Sequence, residues 1–290
     1  MGNIPNGIID MILCDLPYGN INGINLKGWD KKTTKWDKKI DKVKLFIEYE
    51  RVLRKNGIII LFSQEPYTSE LRTFKTSNID FSYPLIWKKN HFASPLSAKK
   101  APVSYFEDMS VFYKKYDSQL INPLRDYFTQ VMKYIGATSC KDINKLLGHR
   151  RAEHTFYVDT IQFSLCTKNT YQELIERFNI DKMKGFKTYD ECNKIEKTFR
   201  RTFNLPNDCG HMSNVLEFKK DYLGLHPTQK PVALLEQLIK TYTNSRNIIL
   251  DNCMGSGSAG VAALNLNRKF IGIELDEKYF DIAKNRIENI

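Results

Sequence analysis

Residues 8–13 form a short apolar run, and residues 57–62 are almost continuously apolar, the pattern of a strand buried on both faces. Between them Val43, Phe46, Tyr49, Val52 and Leu53 recur at helical spacing and predict a helix over 43–54. Residues 82–87 and 109–113 predict two further strands. From about Asp117 to Lys187 the pattern becomes helical and basic, with helices predicted over 127–135, 140–147 and 171–178. Residues 215–218 predict a strand, after which the alternation returns. A helix begins with Pro231 as its first residue and runs through Tyr242, followed by a strand at 247–251, a helix at 258–266, a strand at 270–274 and a closing helix at 278–287. Strands alternating with helices on both sides of an insert imply a single parallel-rich α/β sheet assembled from both chain ends.

Charge adds a partner class to this picture. The 290 residues carry 44 Lys and Arg against 33 Asp and Glu, a net +11, which points to a polyanion. Residues 114–220 contribute +6 of that excess and the remainder +5. The longest strongly apolar stretch, 58–62, is far too short to span a membrane, and residues 1–14 lack the pattern of a signal peptide. The expectation is a soluble, cytoplasmic protein with no membrane partner. Six cysteines are scattered without a C-x-x-C pair, so reduced thiols are expected. Cys209-Gly210-His211 is the one close Cys/His pair; without a second pair at finger-like spacing, it reads as surface or packing and no metal is expected.

Two segments carry candidate chemistry. Residues 248–260 read as strand, glycine-rich turn and helix start, and Gly255-x-Gly257-x-x-Gly260 satisfies the dinucleotide fingerprint in form. Asp251 ends the strand before the loop, where it opposes a pyrophosphate and favours a cationic or zwitterionic nucleoside. Glu274, at the end of the next predicted strand, can accept hydrogen bonds from ribose hydroxyls, and S-adenosyl-methionine has that ribose. A tight αβ turn with a surface Glu is the plainer reading of the same residues.

The second segment is Asp15-Leu16-Pro17-Tyr18, which follows the first predicted strand at the place where an α/β sheet opens its ligand crevice. A Pro-fixed loop with a buried Tyr explains these residues structurally. Chemically, they suit methylation of an exocyclic amine whose lone pair is delocalised into a base. The Asp15 carboxylate and the Leu16 carbonyl can accept the two N–H bonds, Pro17 fixes the turn, and Tyr18 can stack on a base flipped out of its duplex.

With these residues in hand, the sequence resembles the amino-methyltransferases that use S-adenosyl-methionine to methylate adenine N6 or cytosine N4 in DNA. Asp15–Tyr18 is similar to their D-P-P-Y motif, Asp251–Gly257 to their D-x-F-x-G-S-G loop, and His226-Pro227-Thr228-Gln229-Lys230-Pro231 to their H-P-T-Q-K-P segment. The order, catalytic motif first and cofactor loop last, resembles the β class, and Trp36-Asp37 matches a pair in phage-like members. The resemblance implies a Rossmann-like methyltransferase sheet with circularly permuted motif order. Residues 1–116 and 221–290 would form the catalytic and cofactor-binding domain, and 117–220 a mainly helical target-recognition insert. It further implies that Asp15, Leu16, Pro17 and Tyr18 carry catalysis. Asp251, Gly255, Gly257 and Glu274 would hold the cofactor, with Thr228 and Lys230 receiving its methionine carboxylate. Residues 18–39, Trp36 included, are expected to form a loop over the target base.

The resemblance also implies double-stranded DNA as partner, and admits a homodimer and a cognate restriction nuclease. Leu16 replaces the family's first Pro and Cys253 its usual Phe. Relatives often carry an upstream acidic residue near the cofactor's adenine, so that contact stays unassigned. In the insert, Ser139 can cap a helix ending at Gly148, and Arg150, Arg151 and His154 can begin a second, giving either a DNA-binding helix-turn-helix or a plain helical hairpin. Lys184, Lys187, Lys194, Lys197, Arg200 and Arg201 read as phosphate contacts or a solvated face. His91 and His149 have no identifiable partner. The expected activity is adenine-N6 methylation, because N4-cytosine members usually carry Ser at the position of Asp15. Three alternatives are cytosine-N4 methylation, a release-factor-type glutamine methyltransferase, whose cofactor loop comes first in sequence, and a DNA-binding regulator with an inactive methyltransferase fold.

Overall fold

Asp41 starts the first helix by accepting the N–H groups of Val43 (2.9 Å) and Lys44 (3.3 Å), a side-chain cap that fixes where strand connection becomes helix. The computed structural model describes residues 1–19, 37–93, 98–205, 210–221 and 229–290. In chain order the elements begin with β1 (Ile9–Asp15), α1 (Lys42–Val52), β2 (Leu53–Ser63), α2 (Tyr67–Arg72), β3 (Ile79–Ala93) and β4 (Ser104–Lys114). The helices α3 (Leu124–Ile135), α4 (Cys140–Leu147), α5 (Lys168–Phe178) and α6 (Tyr189–Lys197) follow. The chain then closes with β5 (Val215–Phe218), α7 (Val232–Tyr242), β6 (Ile248–Asp251), α8 (Ser258–Asn265), β7 (Lys269–Gly272) and α9 (Glu277–Glu288). Two units result, Met1–Lys114 with Arg201–Ile290, and Lys115–Arg200.

The first unit holds a seven-stranded sheet in the order β5-β3-β4-β2-β1-β6-β7. All neighbouring pairs are parallel except those made by β4, which runs antiparallel to β2 and β3. The nearly continuous apolar runs have a two-sided explanation. Met11, Leu13, Ile58, Ile60 and Phe62 join Leu234, Leu235, Leu238 and Ile239 of α7 in one core. Their chain neighbours Ile12, Cys14, Ile59 and Leu61 join Leu45, Phe46, Tyr49 and Val52 of α1 in another. Strand β1 continues to β2 on one side, whereas β6 continues to β7 on the other. The connections therefore diverge between β1 and β6, which pair Met11 with Ile249 and Ile12 with Leu250. Such a divergence opens a crevice outside the carboxyl ends of the two strands. Both strands end in an aspartate there, Asp15 and Asp251.

The second unit packs α3 to α6 around its own core of Leu124, Phe128, Val131, Ile143, Leu147, Phe156, Tyr171 and Leu174. Helix α4 has the expected boundaries because Ser139 and Asp142 form a capping box and Gly148 takes a left-handed C-cap, φ 79°.

Several expectations are corrected. No α-helix begins at Arg150; residues Glu153–Phe156 make a single 3-10 turn. The backbone there turns back on itself, since Ser164 N–H donates to the His154 carbonyl (3.2 Å) and the Thr155 hydroxyl to the Ser164 carbonyl (3.0 Å). Those bonds replace the ones a second helix of a helix-turn-helix would need. Pro231 is not the first helical residue but the extended cap before α7, ψ 129°. Strand β7 ends at Gly272, so Glu274 lies two residues beyond it. Residues 201–220 fall within the first unit, because β5 pairs in parallel with β3. Helices α2 and α6 have no counterpart in the sequence expectations. No helix among the described residues is long and apolar enough to cross a membrane.

Candidate active site

The crevice at the carboxyl ends of β1 and β6 has a volume of about 460 Å³. From β1 and the turn after it come Asp15, Leu16, Pro17 and Tyr18; Asp251 comes from the end of β6, Gly255 from the turn after it, and Glu274 from the segment after β7. Asp15 is mostly buried, with 20% of its side chain exposed. Its Oδ1 accepts the Tyr18 hydroxyl at 2.5 Å and its Oδ2 the Lys230 ammonium at 2.5 Å. Burial raises the Asp15 pKa, the Lys230 charge opposes that rise, and Glu107 adds to it. Tyr18 is pushed well above the ordinary phenol range by burial and by Asp15, so it stays a neutral donor.

Lys230 extends this pair into a chain of alternating charges. Its Nζ lies 3.2 Å from Glu107 Oε2, a Coulombic contact without hydrogen-bond alignment, while Glu107 Oε1 accepts from Lys89 Nζ at 2.5 Å. Burial alone would lower the Lys230 pKa, but Asp15 and Glu107 outweigh it and hold it high. Burial likewise opposes ionisation of Glu107, and the two ammonium groups overcome it. Neither Glu107 nor Lys89 was among the residues expected from sequence. A signal exists: Glu107 is in strand phase with Met109, Val111 and Tyr113, and Lys89 with Leu85 and Trp87, all facing the core. Trp87 pairs across to Glu107, which makes Lys89 and Glu107 diagonal neighbours.

On the β6 side, Asp251 is buried and pairs with no cation among the described residues. Its Oδ1 accepts the Cys253 N–H at 3.0 Å, yet burial pushes its pKa up to about 7. Glu274 turns its carboxylate onto the glycine loop. Oε2 accepts the Gly255 N–H at 2.8 Å, and Oε1 accepts those of Leu275 and Asp276. Gly257 does not line the crevice; it caps α8 at φ 78°, and a Cβ there would sit 3.0 Å from Ala283 Cβ. The Gln229 carboxamide does line it, its polar atoms buried and without a hydrogen-bond partner among the described residues.

The remaining candidates are distributed elsewhere. His226, Thr228, Trp36 and Cys209 lie outside the described residues. Asp37, beside Trp36, is buried, lines the crevice, and accepts the Gly19 N–H at 2.9 Å. Arg150, Arg151 and His154 belong to the second unit and are exposed. Arg150 pairs with Glu153 at 2.8 Å and Arg151 with Glu173 at 3.2 Å. His154 Nδ1 lies 3.2 Å from the Gln162 carbonyl. His149, unassigned from sequence, shares the Glu173 carboxylate at 2.9 Å.

The divergent sheet and the acid-lined crevice define a doubly wound α/β protein built to bind a ligand at the carboxyl ends of β1 and β6. Residues 9–285 match the family described as DNA methylase, of the N6/N4 methyltransferase type, and the chain belongs to that family. Among curated relatives, it is 48% identical over 67 residues to the type II methyltransferase M2.DpnII of Streptococcus pneumoniae, covering 23% of this chain and 25% of that protein. It is 42% identical over 105 residues to the type II methyltransferase M.HpaI of Haemophilus parainfluenzae, covering 34% and 33%. The matched part thus spans about a quarter to a third of these relatives' length. The crystal structure of an M1.HpyAVI–SAM complex superimposes with a TM-score of 0.55 at 21% identity, covering 98% of this chain and 90% of that one. TTHA0409 from Thermus thermophilus, described as a DNA modification methylase, gives 0.50 at 14%, covering 99% and 90%. These likenesses establish the Rossmann-like methyltransferase fold.

Proposed function

We propose that this protein is a DNA methyltransferase that transfers a methyl group from S-adenosyl-methionine to the N6 amine of a flipped adenine. One observation carries the reading: the Asp15 carboxylate with its Tyr18 phenol opens onto the same crevice as Asp251, Gly255 and Glu274. The residues fit the cofactor. Asp251 is a buried carboxylate without a cationic partner among the described residues, and a ligand bearing ammonium and sulfonium groups would restore its charge. The Glu274 carboxylate retains acceptor capacity for ribose hydroxyls beyond the backbone groups it holds. Lys230 is committed to Asp15 and Glu107, which favours a place beside the reacting amine over one at the methionine carboxylate.

Bound S-adenosyl-methionine supplies a sulfonium methyl as electrophile. Asp15 and the Leu16 carbonyl accept the two N–H bonds of the amine, which turns its lone pair out of conjugation and toward the crevice. Tyr18 holds Asp15 through its hydroxyl and offers its ring to the base, and Pro17 keeps the carbonyl aimed. Proximity and fixed charge share the rate gain. Aspartate at position 15 supports adenine over cytosine. The exposed Arg150 and Arg151 and the basic excess support the second unit, residues 115–200, as the target-recognition region, with DNA affinity falling steeply as salt rises.

The test is incubation of the purified chain with labelled S-adenosyl-methionine and unmodified duplex DNA, with the modified nucleoside identified by mass spectrometry. N6-methyladenine is expected. N4-methylcytosine alone would overturn the base assignment, and no label in DNA over a range of salt would overturn the enzyme reading in favour of an inactive DNA-binding fold. Asp15→Ala should abolish transfer while the thermal shift on adding cofactor persists.

A further inference from the structure

We propose that Glu107, clamped by Lys89, is a positioning residue that holds the Lys230 ammonium beside Asp15 and so sets the direction and charge of the carboxylate that receives the target amine. The proposal rests on the methyltransferase reading of the crevice and adds to it two residues from strands that carry none of the motifs.

The geometry is a buried relay across four elements. Asp15 ends β1, Lys230 precedes α7, Glu107 lies on β4 and Lys89 on β3. The side chains of Lys89, Lys230 and Glu107 are 1%, 7% and 11% exposed. Two carboxylates and two ammonium groups alternate, so the chain is neutral as a whole while each member depends on its neighbours. As a stability device this is a poor one, because desolvating four charges offsets most of their mutual attraction. Its effect on Asp15 is specific. A carboxylate has about four lone-pair directions. Tyr18 takes one on Oδ1 and Lys230 one on Oδ2, leaving defined directions for an incoming N–H. With the Glu107 charge absent, the Lys230 ammonium would lose the carboxylate that draws it away from Asp15 and would compete more strongly with the amine for Asp15.

Other groups among the described residues face this chain. The Phe62 ring of β2 lies 5.2 Å from Lys230 Nζ, and the Trp87 ring of β3 lies 5.0 Å from Lys89 Nζ. Asp251 and Cys14 flank Asp15 from β6 and β1, Tyr18 from the following turn, and Lys220 faces Lys89. The direction of each electrostatic effect follows. Removing the Glu107 charge relieves a like charge on Asp15 and lowers its pKa; removing the Lys89 charge raises it.

Two readouts test the proposal on the full chain: the pH dependence of kcat for methyl transfer to duplex DNA, and the ¹³C titration of the Asp15 carboxyl, which needs no turnover. Glu107→Gln should lower kcat about tenfold to a hundredfold, leave the cofactor KM within about threefold, and move the acidic limb and the Asp15 titration down by about one pH unit. Lys89→Met should move both up by less, and it carries the test if Glu107→Gln fails to fold. Glu107→Asp should recover part of kcat. An unmoved Asp15 titration in Glu107→Gln, or a shift of the same sign in both variants, overturns the proposal in favour of a merely structural ion cluster. A wild-type chain that transfers no methyl overturns the parent reading instead, and the carboxyl titration then still decides the coupling.

Discussion

The Lys230 ammonium lies 2.5 Å from Asp15 Oδ2 although the two residues are 215 positions apart. The contact predicts what Lys230→Met does. Without the cation, only the Tyr18 hydrogen bond still opposes the effect of burial, and the Asp15 pKa rises further. Since the ionised form is the acceptor, the acidic limb of kcat should move up by about one to two pH units. A lysine serving the cofactor carboxylate would instead raise the cofactor KM and leave the limb in place. A steady-state pH profile separates the two.

Asp251 makes a second prediction because its pKa stands at about 7. The folded value is raised above that of an ordinary carboxylate, so its contribution to stability is complete below about pH 4 and is lost as pH rises through about 7. A cationic ligand binds the ionised form. Affinity for S-adenosyl-methionine, read by calorimetry, should therefore rise up to about tenfold per pH unit below 7 and level off above it. Asp251→Asn should flatten both trends. A wild-type affinity independent of pH between 5 and 8 would contradict the assignment.

What the sequence made legible were features with local causes. Helix α4 was readable because its cap, Ser139, and its terminator, Gly148, are both adjacent in the chain. The same holds for β5, and for Asp15 at the end of an apolar run. The Lys230 contact was not readable, because a lysine next to a helix N-terminus suggests an anion from the ligand, while its actual partners come from β1 and β4. Glu107 and Lys89 each look like a misplaced charge on a core face until the register of β3 and β4 makes them neighbours. The helix expected from Arg150 failed for a similar reason. Its residues permit a helix, but hydrogen bonds from Ser164, ten or so positions away, take up the backbone and side-chain groups of residues 154 and 155.

Gly260 completes the fingerprint spacing, yet its surroundings are those of a packing contact. A Cβ there would run into Cδ1 of Ile287 on α9 and come within 2.9 Å of the Phe270 ring. Gly260→Ala should therefore cost about 1–3 kcal/mol of stability through overpacking, seen as a lowered Tm. Adding Ile287→Ala should recover part of the loss, the pattern of coupled neighbours. Equal Tm values for Gly260→Ala and the wild type would show that α8 and α9 adjust freely.

In the second unit, Arg125 is a buried charge bonded to several separate parts of the chain. Its Nε donates to Asp117 Oδ2 at 3.0 Å, its Nη1 to the carbonyls of Val158 at 2.5 Å and Thr160 at 2.9 Å, and its guanidinium lies 4.8 Å from the Phe163 ring centroid. Asp117 also accepts the N–H groups of Ile121 and Asn122, both at 3.1 Å, so one ion pair joins the start of α3 to the 157–163 loop. Truncating one partner of a buried pair leaves the other charge uncompensated, at about 3–5 kcal/mol. Arg125→Met should accordingly unfold residues 115–200 at lower denaturant, with hydrogen exchange accelerated in α3 and the 157–163 loop while the β1 and β2 amides stay protected. The double variant Arg125→Met with Asp117→Leu should be less destabilised than Arg125→Met alone, because no orphaned carboxylate then remains. If the double variant is the less stable of the two, the Asp117 bonds to Ile121 and Asn122, and not its pairing with Arg125, are what the start of α3 requires.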